Sequence, residues 1–453
     1  MENLITLLRK AASSLIDPRK GKNIQYSCLD LVLSAFACFW AQDPSFLQFQ
    51  RRMKIESQKS NMTTLFGAFN IPTDDQIRNF IDLIDYRELN QTFYDVISYL
   101  ESQNQLNEFR VLNDKYYVLA LDGSQYFSSY KVHCPNCLIK EHSNGQTEYI
   151  HNLLQASLVS PKINYALPLA PEFNEKDDTN SKQDCERKAI TRWFDHNYVQ
   201  LMEVIGDKEI IVLADDLHSR QPFVTLLEEK NINYILNCKE NSHKTIKEFV
   251  NTDLVNNFSC CKHVNGFVGL KKHTYRWLNG LPLRNSLDAC RVNWFSLTIE
   301  GTRKRKIELP SLTDDKKSKK QYTYINDDIT FSWITNLPID ETNIVEYAQI
   351  GRSRWKIENS NFNVLKNHGY NLEHNFGHGH NNLSNALATL NILAFSFHNA
   401  VFIADKYWIK ALQIYNSRAT FLNALKEELS KYLYKSFNDL ILNFHGSRAP
   451  PII

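Results

Sequence analysis

Tyr116–Ser129 reads YYVLALDGSQYFSS. The run is apolar, β-branched and aromatic, which predicts a strand. Asp122 sits inside it. A carboxylate in an apolar strand is costly to bury unpaired, so it should face a metal, a cation or solvent. The plainer alternative is a turn aspartate hydrogen-bonded just before Gly123. Working outward, 150-IHNLLQASLVS is a second strand, Pro161–Asn164 a turn, and 165-YALPLAPEF a third strand. Short turns between strands predict an antiparallel meander. A long amphipathic helix, 184-DCERKAITRWFDHNYVQLMEVI, follows. Next come a buried strand, 209-EIIVLADD, a helix, 221-QPFVTLLEEK, and another strand, 233-NYILNCKE.

Three antiparallel strands, helix, strand, helix, strand is an order few folds share, and the RNase H-like mixed α/β sheet leads among them. The flanks differ in character. Residues 1–108 read as helical, with apolar positions three and four apart in 26-YSCLDLVLSAFACFWA and 76-QIRNFIDLIDYRELNQTFYDVISYLE. Pro72, Thr73 and Asp74 form the start signal of the second pattern. Residues 262–340 turn strand-like again, in 267-FVGLKKHTYRWL, 291-RVNWFSLTIEG and 330-TFSWITNL. Between these lie basic stretches, Arg303–Lys306 and Lys316, Lys317, Lys319 and Lys320, expected as mobile loops. From residue 341 the chain reads as helical. The expected organisation is a helical region at 1–108, a core at 109–261, a β-rich insertion at 262–340, the rest of the core at 341–400 and a helical end at 401–453.

Composition bounds the function. The 453 residues carry 52 Lys plus Arg against 50 Asp plus Glu, a net charge of +2. That excludes an acidic solvating protein and a uniformly polybasic nucleic-acid coat, but not local basic patches. Nine scattered cysteines argue against a disulfide scaffold and for a reducing compartment. The N-terminus lacks the charge order of a signal peptide, and the longest apolar run noted, Leu31–Ala41, is too short to span a bilayer. The expectation is a soluble cytoplasmic protein without membrane contact. No phosphate-loop or dinucleotide glycine pattern occurs, so no nucleotide cofactor is implied.

Two further carboxylate positions stand out. Asp215 and Asp216 end the 209–216 strand, where ligands of α/β sheets sit. Adjacent strand residues point to opposite faces, so one of them shares a site with Asp122 and the other is free to cap the following segment. Glu358 lies in 352-RSRWKIENSNFNVLK, whose buried face is marked by Ile350, Ile357 and Val364. On a continuous helix at roughly 100° per residue, Arg354 lies about 40° round from Glu358 and Lys366 about 80°. Alone, this is an ordinary surface salt-bridge ladder. In an RNase H-like sheet, however, the first strand, the end of the fourth and a later helix adjoin. Three oxygen ligands with open positions suit Mg²⁺, and two such ions can activate an attacking water or 3′-hydroxyl and stabilise the leaving oxygen.

On these residues the chain resembles bacterial insertion-sequence DDE transposases of the cut-and-paste kind, the group with a Y-x2-R-x3-E-x6-K signature and a β-rich insertion before its glutamate. The resemblance rests on 121-LDGS, 213-LADDLHSRQP with 234-YILNCKENSH, and 354-RWKIENSNFNVLK, with 147-TEYIHNLLQASLVSP and 369-GYNLEHNFGHG in support. It implies that Asp122, Asp215 and Glu358 bind Mg²⁺ or Mn²⁺, as two ions, and catalyse DNA cleavage and strand transfer. Asp215 is preferred to Asp216 because Leu217 and His218 fall where the family places its next apolar and polar pair. Arg354 matches the signature arginine, which contacts phosphate near the cleaved end. Two positions depart. Gly351 stands where the tyrosine belongs, leaving Tyr347, one turn earlier, as a substitute. Lys366 follows Glu358 by eight residues instead of seven. Arg352 adds positive charge beside the signature. An aromatic from the insertion would stack on a flipped base; Trp277, Trp294 and Trp333 are candidates, with Trp294 chosen, against a reading of all three as core residues. The implied partners are terminal inverted repeats, target DNA and a second copy of the chain in a synaptic dimer. The competing readings are a structure-specific endonuclease on the same fold and a domesticated DNA-binding derivative.

One constellation lies outside this reading. Cys134 and Cys137, with His142 and His151 downstream, offer half of a zinc-site pattern without a second Cys-x2-Cys pair. A reduced loop with incidental cysteines is preferred to Zn²⁺. His374, His378 and His380 are read as a polar turn between helices.

Overall fold

The computed structural model of the chain describes residues 1–20, 24–53, 60–176, 186–252, 254–263, 270–307, 321–326 and 328–446. The chain divides into two compact units, Met1–Glu209 with Trp355–Ile453, and Ile210–Arg354.

The first unit is built on three strands, β1 (Tyr116–Ser129), β2 (Leu138–Glu141) and β3 (Thr147–Val159). β1 runs antiparallel to β3 with Asp122 opposite Gln155. β2 was not foreseen; it closes a hairpin on the other edge of β3, through a turn in which Gly145 has φ +80°. Along that same edge the expected third strand survives only as two two-residue pieces, Leu167–Pro168 and Glu172–Phe173. Pro168 and Pro171 explain the interruption, since proline cannot donate to a ladder.

The helical flanks of the first unit share one aromatic core. Helix Cys28–Trp40 starts at a Ser27–Asp30 capping box and buries all but its first two residues. A helix apolar all round belongs inside a protein. Phe36 meets Phe397 at 5.0 Å between ring centroids, and Trp40 meets Phe66, His398, Trp408 and Phe437. Helix Leu383–Ala404, and not Leu31–Ala41, is the longest apolar run among the described residues; it is long and apolar enough to cross a bilayer, yet it is mostly buried within this unit. The expected helix over 76–101 is broken. Thr73 caps Asp74–Ile81 as anticipated, but a second helix starts only at Gln91. The break falls where Asp82 turns its carboxylate to the backbone N–H groups of His380, Asn381 and Leu383.

The second unit carries β4 (Glu209–Ala214), β5 (Asn233–Asn237), β6 (Asn256–His263), β7 (Leu270–Pro282), β8 (Arg291–Glu300), β9 (Thr302–Ile307), β10 (Gln321–Asn326) and β11 (Ile329–Thr335). β4 and β5 are parallel, joined by helix Gln221–Glu229. The order then continues antiparallel as β5–β11–β8–β7–β6. β9 and β10 pair separately as a hairpin. Arg303–Lys306 is therefore in a paired strand and not the expected mobile loop; Lys316, Lys317, Lys319 and Lys320 lie outside the described residues. The whole is the anticipated α/β class: an RNase H-like strand and helix order, a β-rich insertion between the fourth-strand aspartates and the glutamate segment, and helices at both ends.

Candidate active site and its flanking residues

The two aspartates after β4 are held differently. The Asp216 carboxylate accepts Lys239 N–H at 2.6 Å and the Ser242 hydroxyl at 2.7 and 2.6 Å, with His243 Nε2 at 3.5 Å. Its side chain is only 14% exposed. Burial and nearby Arg220 lower the pKa of His243 to about 4, so the imidazole beside Asp216 is neutral near pH 7. Asp216 thus ties the end of β4 to the turn after β5. Asp215 accepts Leu217 N–H at 2.9 Å, lies 3.8 Å from His218 Nε2, and keeps 40% of its side chain exposed. Of the pair, Asp215 is the carboxylate presented to solvent.

In the first unit, Asp122 is half-buried midway along β1. The Glu186 side chain comes close to the next residue: a Cβ on Gly123 would lie 2.5 Å from Glu186 Oε2. Glu186 is a carboxylate the sequence reading passed over; no spacing from Asp122 announces it.

The glutamate segment is not one helix. Helix Ile344–Arg352 ends at Ser353, a π-helical stretch spans Ile357–Phe362, and a short α-helix covers Asn363–Asn367. Asn363 N–H donates to the carbonyl of Glu358 itself, an i to i+5 bond. The π turn inserts one residue into the helical register. Ile357 is buried as expected, but the next core position falls on Leu365, fully buried, and not on Val364. The stretch packs against β1, the strand of Asp122, and Glu358 itself is exposed. Lys366 donates to the carbonyl of Gln125, three residues along β1 from Asp122, at 2.8 Å, and pairs with Glu373 at 2.8 Å.

The break also dissolves the continuous helix on which Tyr347 was aligned with Glu358. Tyr347 is 6% exposed and lies 6.3 Å from the ring of Phe295. Gly351 has its own explanation, since a Cβ there would meet Trp333 Nε1 at 2.7 Å, leaving no room for a tyrosine. Arg352 is exposed, its guanidinium 5.0 Å over Phe331, and Arg354 is half-buried. Lys356 is buried: Nζ donates at 2.6 Å to the carbonyls of Ser160 and Ile163. Burial lowers its pKa. Trp277, Trp294 and Trp333 are all buried in the insertion, Trp294 at 2% exposure. The exposed tryptophan is Trp355, at 44%.

The Cys/His cluster is regrouped. Cys134, Cys137 and His151 come together as their spacing suggested, but His142 does not join them. Its Nε2 lies 2.8 Å from Glu148 in the β2–β3 hairpin. The fourth member is His378. The reading of His378 as part of a plain polar turn is thereby corrected: the loop ahead of helix Leu383–Ala404 brings its imidazole to the two thiols.

Carboxylate oxygens are the donors hard divalent cations take, and an exposed Glu358 and a half-exposed Asp215 suit that chemistry, whereas the buried thiol and imidazole cluster does not. No curated protein matches the chain. Residues 195–396, which include Asp215 and Glu358, match the family model described as "Transposase DDE domain".

Proposed function

We propose that this protein cuts the ends of its own insertion element and joins them to target DNA, with Asp122, Asp215 and Glu358 as the metal-holding triad. The observation that carries the proposal is the family match over Asp215 and Glu358, taken with the packing of the Glu358 stretch on the strand of Asp122. Divalent ions held by these carboxylates would supply Lewis-acid stabilisation to the reacting phosphoryl oxygens. Asp215 is assigned over Asp216 because the Asp216 carboxylate is already engaged by Lys239 and Ser242. Arg354 and Arg352 are assigned to backbone phosphate, a task for which a guanidinium fork is suited. Lys366 joins them. The π turn absorbs the extra residue before it, so it occupies the helical position that a lysine seven residues after the glutamate has on an unbroken helix. Terminal inverted repeats, target DNA and a second copy of the chain are the proposed partners, in the cytoplasm.

The test is cleavage of labelled element-end DNA in Mg²⁺, followed by joining to a target plasmid. Asp122→Asn, Asp215→Asn and Glu358→Gln should each lower nicking by at least about 10³-fold while leaving DNA retention in gel shifts unchanged. Nicking that survives in all three variants removes the triad assignment. Nicking without joining by the native protein moves the reading to an endonuclease.

A further inference from the structure

We propose that Cys134, Cys137, His151 and His378 form a structural zinc site, separate from the acidic triad. One ligand atom from each lies within 4.8 Å of all the others. Cys134 Sγ and Cys137 Sγ are 3.7 Å apart, and His151 Nε2 lies 3.3 and 3.2 Å from them. A tetrahedral ion with Zn–S near 2.3 Å and Zn–N near 2.0 Å needs ligand separations of about 3.3–3.8 Å. Cys134, Cys137 and His151 are therefore within a few tenths of an ångström of coordination geometry, with His378 inside the same 4.8 Å circle.

Three features separate it from an incidental group of side chains. Both cysteines and His151 are buried. Cys134 N–H points at Cys137 Sγ at 3.3 Å, a donor that would stabilise a thiolate. Nδ1 of His378 is buried with no hydrogen-bond partner, a cost that a core histidine ordinarily avoids.

The scaffold holds His378 in place. Gly377 and Gly379, on either side, have φ +146° and +63°. A Cβ on Gly379 would lie 2.3 Å from Asp82 Oδ1, the carboxylate that gathers the N–H groups of His380, Asn381 and Leu383. Asn136, inside the Cys-x2-Cys turn, donates to the carbonyl of Asn381 in the same loop. The cysteines lie between β1 and β2, His151 is on β3, and His378 follows Glu358 by 20 residues. One ion would staple the chain after the glutamate segment to the sheet that carries Asp122.

The experiment is elemental analysis of the full-length protein purified without added metal, with its Co²⁺-exchanged form read by absorption. The expected result is about one zinc per chain, and visible bands of tetrahedral cobalt with thiolate charge transfer. Cys134→Ser and His378→Ala should lose the zinc, whereas His142→Ala and Asp122→Asn should retain it. Because the cobalt spectrum is taken on the native chain, the result does not depend on the variants folding. Zinc absent together with no tetrahedral cobalt spectrum overturns the site, as does a Cys134–Cys137 disulfide in freshly purified protein. Full zinc content in Cys134→Ser does so equally, by placing the ion elsewhere.

Discussion

Asp215 and Asp216 are chemically identical neighbours that the chain uses in different ways, and the difference is one of hydrogen-bond supply. Asp216 meets a backbone N–H and a hydroxyl from the turn after β5, so its charge is satisfied within the protein. Removing it deletes the charged acceptor of both, and hydrogen bonds to charged groups contribute about 1.5–3 kcal/mol. Asp216→Ala should therefore lower the unfolding free energy by about 2 kcal/mol in urea titration. Asp215→Ala should stay within about 0.5 kcal/mol, as surface substitutions do. A reversal of that order would mean that Asp215 is the structural member. Lys356 gives the same lesson with opposite charge. It stands between Arg354 and Glu358, two residues after an arginine, yet its ammonium is engaged by two main-chain carbonyls.

At the scale of elements, the π stretch Ile357–Phe362 is the departure that matters most. Such turns occur mainly as single insertions and often at functional sites. Here the insertion has a readable consequence: the buried position moves from Val364 to Leu365, and Lys366 moves with it. Deleting Asn359 should close the π turn to an α turn. Residues after it keep their register and the chain stays folded, but the peptide carrying Glu358 is rotated relative to β1. The expected outcome is an unchanged far-ultraviolet circular dichroism spectrum with at least about a 10²-fold loss of Mg²⁺-dependent nicking. Nicking at the native level in this variant would show that the π turn has no part in positioning Glu358.

Across the whole first unit, helices from both ends of the chain share one aromatic core, and His398 lies within it. Its Nδ1 is 2.7 Å from the Tyr370 hydroxyl, its Nε2 is buried without a partner, and Arg418 lies nearby. Burial, and then Arg418, hold its pKa well below the ordinary histidine value. The folded state thus binds fewer protons than the unfolded state below about pH 6.5, and stability falls as the pH drops through that value. Denaturant titrations should show the unfolding free energy declining between about pH 6.5 and about pH 5. His398→Gln should flatten that decline. An equal slope in the variant would assign the acid sensitivity to other groups.

The strand run at 116–129 and the order of strands and helices after it were legible in the sequence because they depend on local periodicity and on the character of single segments. Strand ends and helix starts such as Thr73 follow from the same short-range rules. What depends on contacts between distant segments was not legible. Pairing of the basic run in β9 with β10, the break at Asp82, the space withheld at Gly351 and the burial of Lys356 are each set by a partner far along the chain. The Cys/His cluster shows the boundary most clearly. Spacing brought Cys134, Cys137 and His151 together, and proximity in sequence favoured His142 as their fourth member. The fold gave that place to His378, because a carboxylate on Asp82 and two glycines hold its loop against the sheet, while His142 already had Glu148 within hydrogen-bond reach. The sequence determined which chemical groups the protein has; tertiary packing decided which of them meet, since that depends on which donors and acceptors remain once the backbone and its neighbours are satisfied.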